Sequence, residues 1–168
     1  MPKSKRSPAN TGDQAIIANP RAQADRMYRA AVESVRQRQR YARMVAIPLQ
    51  EEEQIGALKI ACICDEVLEQ SVKAYEGASA NASLHREEDW WHKANALWHA
   101  SREYARRHQG CDQNARTFGS HDAARLGELA MEFDLEASAL LALLHAVTAY
   151  RKVVGDADLD PAGTIRVA

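Results

Sequence analysis

From Asn19 to Gly155 the chain repeats one pattern four times: a long run with apolar residues every three or four positions, closed by a Pro or Gly stop. Such a period puts apolar side chains on one face of a helix, and a helix with one such face must bury it against others. The fold class expected is all-α, an antiparallel up-and-down four-helix bundle with flexible N- and C-terminal tails. Eight Gly and five Pro in 168 residues leave little room for the tight turns of a sheet.

Asn19-Pro20 is a strong helix start, Asn as cap and Pro at the first position. The first helix is expected over about 20–46, with Ile47-Pro48 breaking it and Met27, Ala31, Val35, Ala42 and Val45 as its buried stripe. The second is expected over about 49–77, with Glu51, Glu52 and Glu53 in the first turn, where the dipole favours acids. Its main face is read as Ala57, Ile60, Ala61, Cys64, Val67, Leu68, Ser71 and Tyr75. Ser83 can cap a third helix over about 84–109 that stops at Gly110; its core face is Trp90, Ala94, Leu97, Ser101 and Tyr104. The fourth is expected over about 120–154, capped by Ser120 and stopped by Gly155, with Leu126, Ala130, Phe133, Ala137, Leu140, Leu144 and Val147 buried. The domain organisation expected is a basic disordered tail over 1–18, the bundle over 19–155 and a flexible acidic tail over 156–168.

The N-terminal stretch has no apolar core of a signal peptide, and no run reaches the roughly 18 continuous apolar residues of a membrane span. A cytoplasmic location is the expectation. Three cysteines, an odd number, do not suggest a disulfide framework. Cys62 and Cys64 lie about 200° apart around a helix and do not converge on one metal.

A net charge of −1 hides a segregation. Residues 1–50 carry ten Lys and Arg against three acids, net +7, and the remainder carries twelve against twenty, net −8. Arg29, Arg36, Arg40 and Arg43 form a ridge that would suit a phosphate backbone, with Lys3, Lys5 and Arg6 as a trailing arm. The ridge could equally neutralise the acidic body of the same chain.

Histidines recur at 85, 92 and 99 on the third helix, with Glu88 and Asp89 four and three residues before His92. The carboxylate-x-x-His spacing is that of ferritin-like di-iron bundles, which need it on two inward-facing helices. The fourth helix has Ala142 three residues before His145, so there is no second copy. No metal and no cofactor is expected. His108 lies in line with Trp90 at the end of the third helix and reads as a hydrogen-bonded core histidine. His145 could approach Tyr75 and Trp91 to form a small-molecule pocket. Glu128, Glu132 and Glu136 read as a solvated acidic ridge. Neither a G-x-S-x-G turn nor a P-loop is present, so no catalytic residue is assigned.

Ala137 to Tyr150 runs for fourteen residues without a formal charge. It is too short for a bilayer and wider than one core face needs. Ala139, Ala142, Leu143 and Ala146, together with Ile55 and Leu58 on the second helix, are the interface candidates. The expected function is therefore non-enzymatic protein–protein association, as a homo-oligomer or a subunit of a larger complex. The alternatives are a nucleic-acid-associated bundle using the first helix, and a metal- or small-ligand-binding bundle.

Overall fold

The computed structural model describes residues 19–46, 51–80, 88–117 and 123–155. They form four helices: α1 (Pro20–Val45), α2 (Glu51–Ser79), α3 (Asp89–Thr117) and α4 (Ala123–Val154), with no strand among the described residues. The all-α, four-helix architecture is therefore as the periodicity implies. Both tails lie outside the described residues, as do Ile47-Pro48, Ser83 and Ser120.

Local chemistry explains the helix ends. Asn19 Oδ1 accepts from the backbone amides of Arg21 (3.0 Å) and Ala22 (3.3 Å), satisfying donors that the first turn cannot pair itself. At the other extreme, Gly155 adopts φ 81° and donates its amide to the Arg151 carbonyl at 3.1 Å, closing α4. Gly110 does not stop α3, which continues to Thr117. A glycine inside a helix costs only about 1 kcal/mol relative to alanine, and ends a helix only if the chain turns left-handed there.

Side-chain pairs give the relative placement. Arg21 Nη2 donates to the Val153 carbonyl at 3.3 Å and the Tyr150 hydroxyl donates to Asp25 at 2.8 Å, so the start of α1 lies beside the end of α4. Tyr75, late in α2, donates to Asn95, early in α3, at 3.0 Å. His108, late in α3, lies 2.7 Å from Glu136 in the first half of α4.

The core is built around four buried tyrosines, one per helix: Tyr28, Tyr75, Tyr104 and Tyr150. Ala24, Met27, Ala31 and Val35 face them from α1, and Leu68 and Val72 from α2. Trp90, Trp91, Ala94 and Leu97 complete the core from α3, with Leu143, Leu144 and Val147 from α4. The α3 face is the one expected, down to Ser101, which is fully buried with no hydrogen-bond partner among the described residues.

Elsewhere the packing departs from the expected faces. On α1, Ala42 and Val45 are exposed, so the core ends near Val35. On α2, Ile60 and Val67 face outward, and Asp65 and Val72 take places in the buried stripe. On α4, Ala130, Phe133 and Ala137 are exposed, while Ala139, Leu143 and Tyr150 join Leu144 and Val147 inside. The cause on α4 is that apolarity is spread almost evenly around the helix, so period alone cannot select a side. Leu126 has no described side chain.

Candidate functional site

Where the apolar core ends, six polar and charged side chains from all four helices meet. Ser34 and Arg38, four residues apart, share one face of α1, and Tyr104 and His108 do the same on α3. Asp65 of α2, only 8% exposed, stands between them. It accepts from the Ser34 hydroxyl and from Arg38 Nε at 2.8 Å, and the Tyr104 hydroxyl lies 3.4 Å away. Arg38 Nη2 is also 2.6 Å from His108 Nε2, and His108 Nδ1 is 2.7 Å from Glu136 of α4.

The protonation pattern follows from the partners. A guanidinium can only donate, so His108 Nε2 is the acceptor and the proton on Nδ1 is donated to Glu136. The Tyr104 ring stacks on the imidazole, centroids 6.0 Å apart and planes 14° from parallel. Burial works against the charge on Arg38, but Tyr104, once ionised at high pH, and the Asp65 carboxylate outweigh it, and its pKa rises above the ordinary arginine value. Burial pushes the Tyr104 phenol up, and the neighbouring Asp65 charge adds to the effect. Each ionisable group in the cluster is thus held by another. The cluster is suited to fixing the register of the four helices.

At the opposite end the core closes on aromatic rings. Tyr75 and Trp91 pack 6.3 Å apart, Trp90 meets Trp91 edge-on at 5.6 Å, and the Arg21 guanidinium lies 5.2 Å from the Trp90 ring centre. His145 is exposed, outside the α4 face that buries Leu143, Leu144, Val147 and Tyr150. On α3, His92 and His99 are exposed, Asp89 pairs with Lys93 at 2.5 Å, and His85 lies outside the described residues. No group of three or more His, Cys, Asp or Glu among the described residues is placed to hold a metal ion.

The interface candidates separate into two sets. Leu143 (0% exposed) and Ala139 (7%) are part of the chain's own core, and Ala146 and Leu58 are half-buried. The charge-free stretch hides which side of α4 is inner, so the sequence alone places these two core residues on an outward face. Ala142 and Ile55 are exposed. Among the described residues, the large exposed apolar side chains lie on α2, along α4 and, with Val45 (51%), at the end of α1. On α2 they are Ile55 (44%), Ile60 (44%), Ile63 (58%) and Val67 (48%); on α4 they include Met131 (61%), Phe133 (48%) and Leu141 (48%). Arg29, Arg36, Arg40 and Arg43 are all exposed, on the side of α1 opposite its buried face.

Sequence reasoning missed Ser34, Arg38, Asp65 and the inward role of Glu136. A signal for Asp65 was present: it falls in the series 57, 61, 65, 68, 72, 75, whose other members are all apolar. Nothing comparable marks Glu136, which shares its helical period with Glu128 and Glu132. Among the described residues no helix is long and apolar enough to cross a membrane. Searches of protein-family models, of curated proteins and of solved structures find no match to this chain.

Proposed function

We propose that this chain is a helical-bundle protein that acts by protein–protein association, assembling with further copies of itself. The observation that carries the reading is the apolar surface left exposed on α2 and α4, which the chain's own core does not use. On α2 the exposed Ile60, Ile63 and Val67 fall along one side of the helix, and contiguous apolar surface of that kind is characteristic of interaction sites. The charged cluster around Asp65 supports a scaffold role over a reactive one, because its donors and acceptors are spent on one another. Cys62 and Cys64, both free thiols, accord with a cytoplasmic setting. Light scattering across a micromolar concentration range tests the reading: a mass above that of one 18.7 kDa chain is expected, and a monomer at every concentration overturns it.

A second reading is favoured by the exposed arginine ridge of α1, which would contact a phosphate backbone without reading base sequence. Binding to DNA or RNA would then fall steeply with salt and be lost in Arg36→Glu/Arg40→Glu. Absence of any shift at low ionic strength would rule it out.

A further inference from the structure

α2 carries two apolar seams. The inner one holds Ala57, Ala61, Leu68, Val72 and Tyr75 in the core. The outer one runs Gly56, Ile60, Ile63, Val67, Gln70 and Ala74, with the alternating four-and-three spacing of a coiled-coil stripe. Ile60, Ile63, Val67, Gln70 and Ala74 are exposed, and Gly56 is half-buried. A Cβ added at Gly56 would meet nothing within 4 Å, so the chain's own packing gives no reason for a glycine there. That residue costs helix stability, about 1 kcal/mol relative to alanine, and lets another helix come close.

The charges beside this seam identify what covers it. Glu52, Lys59, Glu66 and Lys73 follow one another at seven-residue intervals along one edge, alternating in sign, and all four are exposed. The other edge carries Ala57, Cys64, Ser71 and Ala78, with no charge. In a parallel pair, each charged edge would face an uncharged one and gain nothing. In an antiparallel pair related by a two-fold axis beside Cys62, the charged edges face each other. Glu52 of one copy then lies across from Lys73 of the other, and Lys59 across from Glu66. Every opposed pair is of opposite sign, and the pattern is complementary to its own reverse. Lys73, which pairs with Glu69 one turn earlier at 2.6 Å, needs only to swing its exposed side chain.

Resting on the self-association reading, we infer that the outer seam of α2 is a two-fold interface in which α2 pairs antiparallel with α2 of a second copy. The seam from Glu52 to Ala74 is about 33 Å long at 1.5 Å per residue. Gly56 lies across from Val67 of the other copy, and Ile60 across from Ile63, so the small residue accommodates a branched one. Gln70, the polar position in the seam, penalises shifted registers. The interface is isologous and closes at two chains.

Charge swaps at Lys59 and Glu66 test the pairing. These residues are seven apart on one helix and cannot pair within a chain, so only the partner links them. Lys59→Glu and Glu66→Lys, measured separately by sedimentation at low salt, should each weaken the dimer about tenfold, because the two-fold axis creates each like-charge contact twice. The double variant Lys59→Glu/Glu66→Lys should return to within about threefold of the unaltered protein. Ile63→Asp should yield a monomer with unchanged helix content. Three results overturn the inference. One is weakening by the single swaps without rescue by the double. Another is swaps with no effect at all. The third is an oligomer that survives Ile63→Asp but dissociates in Met131→Asp on α4; that result leaves self-association standing and moves it to the other face. An unaltered protein that is monomeric at every concentration overturns both.

Discussion

Asp65 is the residue on which the most depends. It is a carboxylate in a stripe of apolar positions, held by Arg38 and Ser34 and approached by Tyr104. With side-chain exposures of 13% for Arg38 and 9% for Asp65, neither charge is left to water, and the loss of one strands the other. Arg38→Met and Asp65→Leu should each cost about 3 kcal/mol of unfolding free energy. Combined, they should cost clearly less than their sum, with a coupling of about 2 kcal/mol by denaturant titration. Strict additivity would show that the two side chains do not act as a pair. The same contacts explain why such a cluster is tolerated at all: a misaligned helix would leave buried charges unpaired.

Among the elements, α4 shows best how an even spread of apolar residues is resolved by packing. Its charge-free stretch offers several possible inner faces, and the chain uses Ala139, Leu143, Leu144, Val147 and Tyr150, leaving Leu141 and Ala142 outside. Leu143→Glu should therefore lower the melting temperature strongly and independently of protein concentration, since a carboxylate would enter a fully buried site. Leu141→Glu, two residues earlier and 48% exposed, should leave the monomer's melting temperature almost unchanged. If the two variants behaved alike, the assigned inner face would be wrong. α2 poses the opposite case: both of its apolar faces have a clear period, and burial takes one of them.

Across the whole molecule, four helices each contribute one buried tyrosine, and three of these phenols resist ionisation. Burial pushes Tyr75 up to about 12. Burial also raises Tyr104, with Asp65 adding to it, and Tyr150, where the hydrogen bond to Asp25 adds. A phenol whose pKa is higher folded than unfolded favours the fold in its neutral form. That stability is complete below about pH 10, the ordinary tyrosine value, and is lost as pH climbs toward 12. In an alkaline titration, three of the five tyrosines should ionise only together with the loss of helix. Smooth titration of all five near pH 10, with helix content intact, would contradict this.

What the sequence determined by itself was the existence and order of the helices, the Asn19 cap, the Gly155 stop and the inner face of α3. Each of these depends on residues close together along the chain. Asn19 acts on amides two and three residues away, Gly155 on the carbonyl of Arg151, and the α3 face shows because large aromatics repeat along one side only. Tertiary structure decided which face of α2 and of α4 turned inward, and that Phe133 and Val67 went out while Leu143 and Asp65 went in. It also brought Ser34, Arg38, Asp65, His108 and Glu136 together from four helices. Period shows which residues share a side. Which side is buried depends on the neighbouring helices, and a charge inside is acceptable only where another helix supplies its partner.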